Sequence, residues 1–197
     1  APELFEAIGA ARAAGERLSI ATDLDGGASI VGASAGAFVN DYRPKRRLLI
    51  VGAVQIAQAL ASLALTLGVS PVVIDPRGRF LTDERFPGVA LDDRWPDEAV
   101  SERRPDAATA LVTLSHDPKI DDPALIAALG AETGYIAALG SRRSHAARLE
   151  RLAAHGLGKA DLARIEGPAG LDIGAIGASE IALSIAAGMI AAFNDRA

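Results

Sequence analysis

Two adjacent arginines, Arg142 and Arg143, follow Gly140-Ser141 at the point where an apolar run gives way to a helical pattern. The first turn of a helix carries backbone N–H groups with no intrahelical acceptor and the positive end of the helix dipole, so an anion is favoured there. The dipole contributes only ~0.3–1 kcal/mol, and paired guanidinium groups with bidentate geometry supply the larger share. A phosphate-like anion suits such a site. Two solvated arginines on an amphipathic helix are the plain alternative.

Three further groups could act with them. His116 and Asp117 close a strong apolar strand, where an imidazole can donate to an anionic ligand or relay a proton near neutral pH, although Asp117 before Pro118 can equally organise a turn. Asp75 ends an earlier strand and could accept ribose hydroxyls, with Arg77 beside it for a phosphate; Asp75-Pro76 as a simple strand stop is the alternative. Asp172 sits in the glycine-rich stretch from Gly167-Pro168 to Gly174, where backbone can approach a ligand closely or merely make a tight connection.

The turn that would organise these groups is Gly52-Ala53-Val54-Gln55-Ile56-Ala57. A dinucleotide fingerprint needs glycine for the turn, for approach of the pyrophosphate, and for helix–strand packing. Gly52 and the small Ala57 satisfy the first and third places. Val54 fills the second, and its branched side chain occupies the space a pyrophosphate needs, which disfavours NAD(P) in its ordinary mode.

Other chemistries find no support. The chain has no cysteine, so disulfides, thiolate metal sites and a cysteine nucleophile are out. His145 and His155 share a helix without a carboxylate at ligand spacing, and His155 near the helix end complements the dipole. No nucleophile, base and orienting group fall together, so no catalytic residue and no metal ligand is named. A net charge of −5 argues against nucleic-acid binding. The longest oily stretch, Ile181 to Phe193, is interrupted by Ser184 and Gly188 and falls short of the ~20 residues of a membrane span. With no signal peptide visible, a cytoplasmic location is expected.

The elements that must position these residues alternate strand with helix. Leu48–Val51 runs through Gly52 into a helix with Ile56, Leu60, Leu63 and Leu67 on one face, and Val72–Ile74 follows Gly68. A weak strand at Val89–Leu91 and a short helix from Pro96 come next, then a strand at Ala107–Leu114. Asp121-Asp122-Pro123 is read as the cap of a helix ending at Gly130. A strand at Gly134–Leu139 leads into a helix with Ala146, Leu149, Leu152 and Ala153 inward and a stop at His155-Gly156, and a final helix of about four turns closes the chain.

This pattern predicts an α/β fold with a doubly wound parallel sheet of order 3-2-1-4-5, in which ligands sit at the carboxyl ends of the first and fourth strands. Residues 47–197 form that domain. Residues 1–46 are a short N-terminal extension: a helix over residues 1–15 stopped by Gly15, a hairpin of Leu18–Thr22 and Ala28–Val31 about Asp23–Gly27, and a linker over residues 32–46. So small a helix and hairpin needs a neighbour to bury against, which suggests a homodimer contact.

Asp75-Pro76-Arg77, His116-Asp117-Pro118-Lys119, Leu139-Gly140-Ser141-Arg142-Arg143, Gly167-Pro168 and Gly170-Leu171-Asp172-Ile173-Gly174-Ala175, in that order, resemble the C-terminal Rossmann-like domain of the XdhC/CoxI family of xanthine dehydrogenase accessory proteins. The family's turn reads Gly-Ala-Gly-His, where this chain has Val54 and Gln55. The resemblance implies a chaperone that binds the molybdenum cofactor, molybdopterin with its metal, shelters it while a terminal sulfur is installed, and delivers it to a molybdenum hydroxylase apo-enzyme. It implies a sulfur donor protein as a further partner. The cofactor-binding residues it suggests are Gly52, Gln55, Asp75, Arg77, His116, Asp117, Gly140, Ser141, Arg142, Arg143 and Asp172. An NAD(P)-dependent oxidoreductase and a degenerate, non-catalytic interaction domain are the alternatives.

Overall fold

The computed structural model describes residues 2–14, 16–42 and 44–195, apart from the side chain of Asp195, and the chain divides after Lys45 into two units. In the first, helix α1 (Pro2–Ala14) precedes an antiparallel sheet of β1 (Leu18–Thr22), β2 (Ser29–Val31) and β3 (Phe38–Tyr42), in the order β2-β1-β3. The turn between β1 and β2 is closed by Asp23 N–H to Ala28 O and Gly27 N–H to Asp23 O, each 2.8 Å, with Asp25 N–H on Asp23 Oδ1. The stop expected at Gly15 lies outside the described residues.

Strand β3 corrects the reading of residues 32–46 as a linker. Its side chains are all exposed and Asn40-Asp41 breaks any apolar alternation, so nothing local marks a strand. What holds it is long-range: five residues pair with β1, Ser19 Oγ donates to Asp41 Oδ1 at 2.6 Å, and Arg17 bridges to Asp41.

The second unit is built on one parallel sheet. Its elements are β4 (Arg47–Val51), α2 (Gln55–Thr66), β5 (Ser70–Ile74), a 3-10 turn (Gly78–Phe80), β6 (Ala90–Asp92), α3 (Pro96–Glu102), β7 (Thr109–Thr113), α4 (Pro118–Leu129), β8 (Tyr135–Ala138), α5 (Arg142–Ala154), α6 (Lys159–Leu162), β9 (Ile165–Glu166) and α7 (Ala178–Asp195). The strand order β6-β5-β4-β7-β8-β9 is the expected 3-2-1-4-5 with β9 added as a two-residue edge. Central strands β7 and β8 are buried along their whole length, which is why they read as unbroken apolar runs.

Each face of the sheet carries its own core. Leu48, Ile50, Val73 and Val112 meet α2 and α7, where Ala57, Ala61 and Ala64 face Ala182 and Ala186; such small side chains let two helices share one sheet face closely. Leu49, Val51, Ile74, Leu111 and Ile136 meet α3, α4 and α5. On α2 the inward row is Ala57, Leu60, Ala61 and Ala64, while Leu67 is half exposed at 48%. Among the described residues no helix is long and apolar enough to cross a membrane.

Two helices depart from expectation. Helix α4 starts at Pro118 under an Asp117 cap, and Pro123 lies inside it. Asp121 and Asp122 cap nothing because both are buried and turned inward, to Ser115 and Arg151. On α5, Ala146 and Ala153 are exposed; Arg148 and Leu152 are the buried pair, with His145 and Leu149 half-buried beside them.

Candidate functional site

Strands β4 and β7 leave the sheet side by side, in register at Val51 and Thr113. Gly52 turns the first loop at φ +104°, and a Cβ there would meet Ser115 N at 2.7 Å and Ser115 Cα at 2.9 Å. Glycine alone allows both the left-handed backbone and that approach. Asp75, fully buried just past β5, braces the turn by accepting the Ala53 N–H at 2.8 Å and the Arg77 N–H at 2.9 Å. Arg77 closes on both carboxylate oxygens, Nε to Oδ1 at 2.9 Å and Nη2 to Oδ2 at 2.8 Å. Burial pushes the Asp75 carboxyl up, but the Arg77 and Ala53 hydrogen bonds outweigh it and hold it below the ordinary carboxylate range. Arg85 is a second brace, donating to Ala53 O at 2.8 Å and Phe80 O at 2.6 Å.

The second loop is organised from α4. Ser115 Oγ donates to Asp121 Oδ1 at 2.6 Å and accepts the Asp117 N–H at 3.1 Å, while Asp117 Oδ1 takes the Lys119 N–H at 3.0 Å as the α4 cap. Burial pushes the Asp121 carboxyl up. Held from both sides, His116 adopts φ +61°, a left-handed conformation that costs a non-glycine residue ~1–3 kcal/mol, and its imidazole is exposed.

Two adjoining clefts open above these loops. The first, about 250 Å³, is lined by Val54, Gln55 and Ile56 at the start of α2 and by His116, Leu139 and Ile181. Val54 has extended backbone and its side chain fills the place of the fingerprint's second glycine; α2 has no side-chain cap. The second, about 330 Å³, is lined by Leu139, Gly140 and Arg142, by Asp172 and Ile173 of the glycine-rich segment, and by Ile181. Leu139 and Ile181 belong to both.

The glycine-rich segment is pinned at three points. The ring of His145 lies against Gly167, where any side chain would overlap it. Glu166 Oε1 accepts the Tyr135 hydroxyl at 2.8 Å and the Gly170 N–H at 2.6 Å, and burial followed by the Glu166 charge pushes the Tyr135 pKa up. On α7, Ser184 Oγ donates to Leu171 O at 2.5 Å. Burial, then the neighbouring Arg148, pushes the His145 pKa down.

Of the residues expected from sequence, the clefts bring together Gln55, His116, Gly140, Arg142 and Asp172. Gly52, Asp75 and Arg77 form the frame beneath. Asp117 caps α4 and Ser141 caps α5, its Oγ accepting the Ser144 N–H at 3.1 Å. Arg143 is exposed and lines neither cleft. Sequence reasoning missed Arg85, Tyr135, His145, Arg148 and Glu166. The spacing of His145 and Arg148 places them on one helix face, a signal obscured because polar residues on a helix read as its solvent side.

Comparison with known proteins follows the same residues. A model described as the XdhC Rossmann domain matches residues 48–189. The molybdenum cofactor insertion chaperone PaoD of Escherichia coli is 33% identical over 146 residues, covering 74% of this chain and 40% of that protein. A probable xanthine dehydrogenase subunit of Bacillus subtilis is 33% identical over 154 residues, covering 78% of this chain and 44% of that protein. This chain therefore spans less than half the length of both curated relatives. A crystal structure described as a xanthine dehydrogenase from Bacillus halodurans superposes with a TM-score of 0.73 at 22% identity, over 99% of this chain and 65% of that one, a likeness of fold.

Proposed function

The chain belongs to the XdhC family, and from that premise we propose that it binds the molybdenum cofactor as an accessory chaperone to a xanthine dehydrogenase-type molybdenum hydroxylase. In this reading it holds the cofactor in the groove while a sulfur donor protein acts and then passes it to the apo-enzyme. It works in the cytoplasm as a homodimer.

The observation that carries the reading is the convergence of Gln55, His116, Gly140, Arg142 and Asp172 on two adjoining clefts at the strand-order reversal. The residues fit an anionic, flat heterocycle. Val54, Ile56, Leu139, Ile181 and Ile173 offer apolar contact, the uncapped start of α2 offers backbone donors, Arg142 and His116 offer cationic or neutral donors, and Asp172 offers an acceptor for ring N–H groups. The cofactor brings its own metal and sulfur chemistry; this chain binds, orients and screens it from water.

The test is equilibrium binding of isolated molybdenum cofactor, followed by the absorbance that co-elutes with the protein. Retention by the wild type and loss in the double variant His116→Ala with Arg142→Ala is expected. No retention by the wild type, or equal retention by the variant, overturns the reading. NADH in a parallel titration should leave the protein's fluorescence unchanged, because Val54 closes the pyrophosphate's place.

A further inference from the structure

The sheet of the first unit has two open edges, β2 and β3. A bare edge is a template for another strand, and folded proteins blunt it by keeping it short, by proline or lysine, or by a charge set on the strand. Strand β2 is only three residues long. Strand β3, Phe38-Val39-Asn40-Asp41-Tyr42, is five residues long with no proline and no lysine, and its one charge, on Asp41, is bridged to Arg17 and accepts the Ser19 hydroxyl at 2.6 Å. The longer edge is the less guarded one.

The direction of the main chain on β3 follows from β1. Gly32 N–H bonds to Ser19 O and Asp23 N–H to Ala28 O, each at 2.8 Å, so the alternate residues Ser19, Ala21 and Asp23 turn to β2. Leu18, Ile20 and Thr22 turn the other way and meet Tyr42, Asn40 and Phe38, which directs the main chain of Val39 and Asp41 outward. Side chains alternate likewise. Phe38, Asn40 and Tyr42 share one face, with Phe38 58% and Tyr42 42% exposed, and Val39 shares the other face with Asp41.

We propose that β3 pairs with β3 of a second copy, antiparallel about a two-fold axis at Asn40, so that two sheets of three strands join edge to edge. In that register Phe38 faces the partner's Tyr42 at each end, Asn40 faces its own copy at the axis, and Val39 and Asp41 exchange main-chain hydrogen bonds on either side. Neighbouring registers lose the match. An axis at Asp41 sets two carboxylates opposite each other, and an axis at Val39 sets Phe38 against Asn40 and puts Tyr42 beyond the ladder. A surface that fits its own copy about a two-fold closes into a dimer and goes no further. The exposed rings offer roughly 200 Å² per copy, well under the ~800 Å² per partner of a standard interface. Main-chain hydrogen bonds therefore carry the affinity, as in strand addition generally, and the dimer is reversible at micromolar concentration or above. The inference rests on the homodimer of the proposed function and names its surface; it does not depend on the cofactor.

Sedimentation velocity of the full chain, from micromolar to submillimolar concentration, should show a monomer–dimer equilibrium whose Kd rises about tenfold or more in Phe38→Lys with Tyr42→Lys. A second measurement leaves both rings in place. Because the chain has no cysteine, Asn40→Cys puts a single thiol at the axis. Opposite residues of an antiparallel pair that exchange no hydrogen bonds stand ~4.5 Å apart at Cα, within the span of a disulfide. Mild oxidation should link Asn40→Cys into a covalent dimer about tenfold or more faster than Val31→Cys, an exposed position on the other edge. A wild type that stays monomeric over the whole range overturns the pairing and the homodimer together. A dimer whose Kd the double variant leaves unchanged, or a thiol that links no faster at Asn40 than at Val31, overturns the pairing and leaves the homodimer to another surface. If the double variant does not fold, the oxidation rates decide.

Discussion

The imidazole of His145 lies so close to Gly167 that a Cβ on the glycine would stand 2.0 Å from its Nδ1 and 2.4 Å from its Cε1. This contact ties α5, whose first turn lines the second cleft, to the glycine-rich segment that supplies Asp172 to the same cleft. Gly167→Ala should therefore do two things. Overpacking should cost about 1–3 kcal/mol in urea unfolding, and ligand affinity at the second cleft should fall even though Gly167 is not among its lining residues. Unchanged unfolding midpoints would show that the ring can swing away freely.

The same ring predicts a pH dependence. Burial, with a smaller push from Arg148, holds the His145 pKa below its ordinary 6.5. As pH falls, the unfolded chain takes up the proton first. The contribution of the neutral ring is thus complete above 6.5 and is lost as pH drops from there through the lower folded pKa. Urea midpoints measured from about pH 8 to about pH 5 should decline in the wild type and decline less in His145→Gln, the difference between the two isolating this ring.

Asp75 behaves as a strut. Asp75→Ala removes the acceptor of the Ala53 N–H and leaves Arg77 unpaired, but Arg77 is 40% exposed and regains water. The expected loss is therefore about 2–3 kcal/mol, below the 3–5 of a fully buried pair. Asp75→Asn, which keeps an oxygen for Ala53, should lose less. Because the folded carboxyl lies below its ordinary 3.8, the stabilisation is present above that pH and disappears as pH falls through the folded value. Acid unfolding of Asp75→Asn should accordingly be flatter than that of the wild type.

Gly52→Ala should be a strongly damaging small substitution. The new methyl meets backbone, Ser115 N at 2.7 Å, and the residue must also hold φ +104°. A cost of about 3 kcal/mol or more follows from strain and overlap together, read as a fall in melting temperature.

Tyr135→Phe tests the pin on the glycine-rich segment. It deletes the hydroxyl on Glu166 Oε1 and leaves the Gly170 N–H bonded there. The expected loss is about 1–2 kcal/mol, with faster amide exchange at Gly170 and Leu171 as the local sign.

The sheet was readable because strand and helix alternate in apolar runs, and the alternation alone gives the order 3-2-1-4-5 that β6-β5-β4-β7-β8 realises. Gln55, His116, Gly140, Arg142 and Asp172 were readable as well, since loops at the carboxyl ends of strands must converge. Roles were harder. Asp75 has the position of a ribose acceptor, yet Arg77, two residues on, turns back on it and spends both oxygens. Asp121 and Asp122 have the composition of a cap but are held inside by Ser115 and Arg151, partners distant in the chain. Strand β3 and Arg148 went unseen for the same reason: what fixes them is tertiary, and no local pattern records it.

Gly52 and Ser115 meet through main-chain atoms, as do the strands that carry them. The scaffold is consequently indifferent to what the exposed Gln55 and His116 carry beyond their Cα atoms. Exchanging those two side chains re-dresses the cradle for a differently shaped guest while the masonry stands, so selectivity can drift without a matching repair anywhere else in the polypeptide.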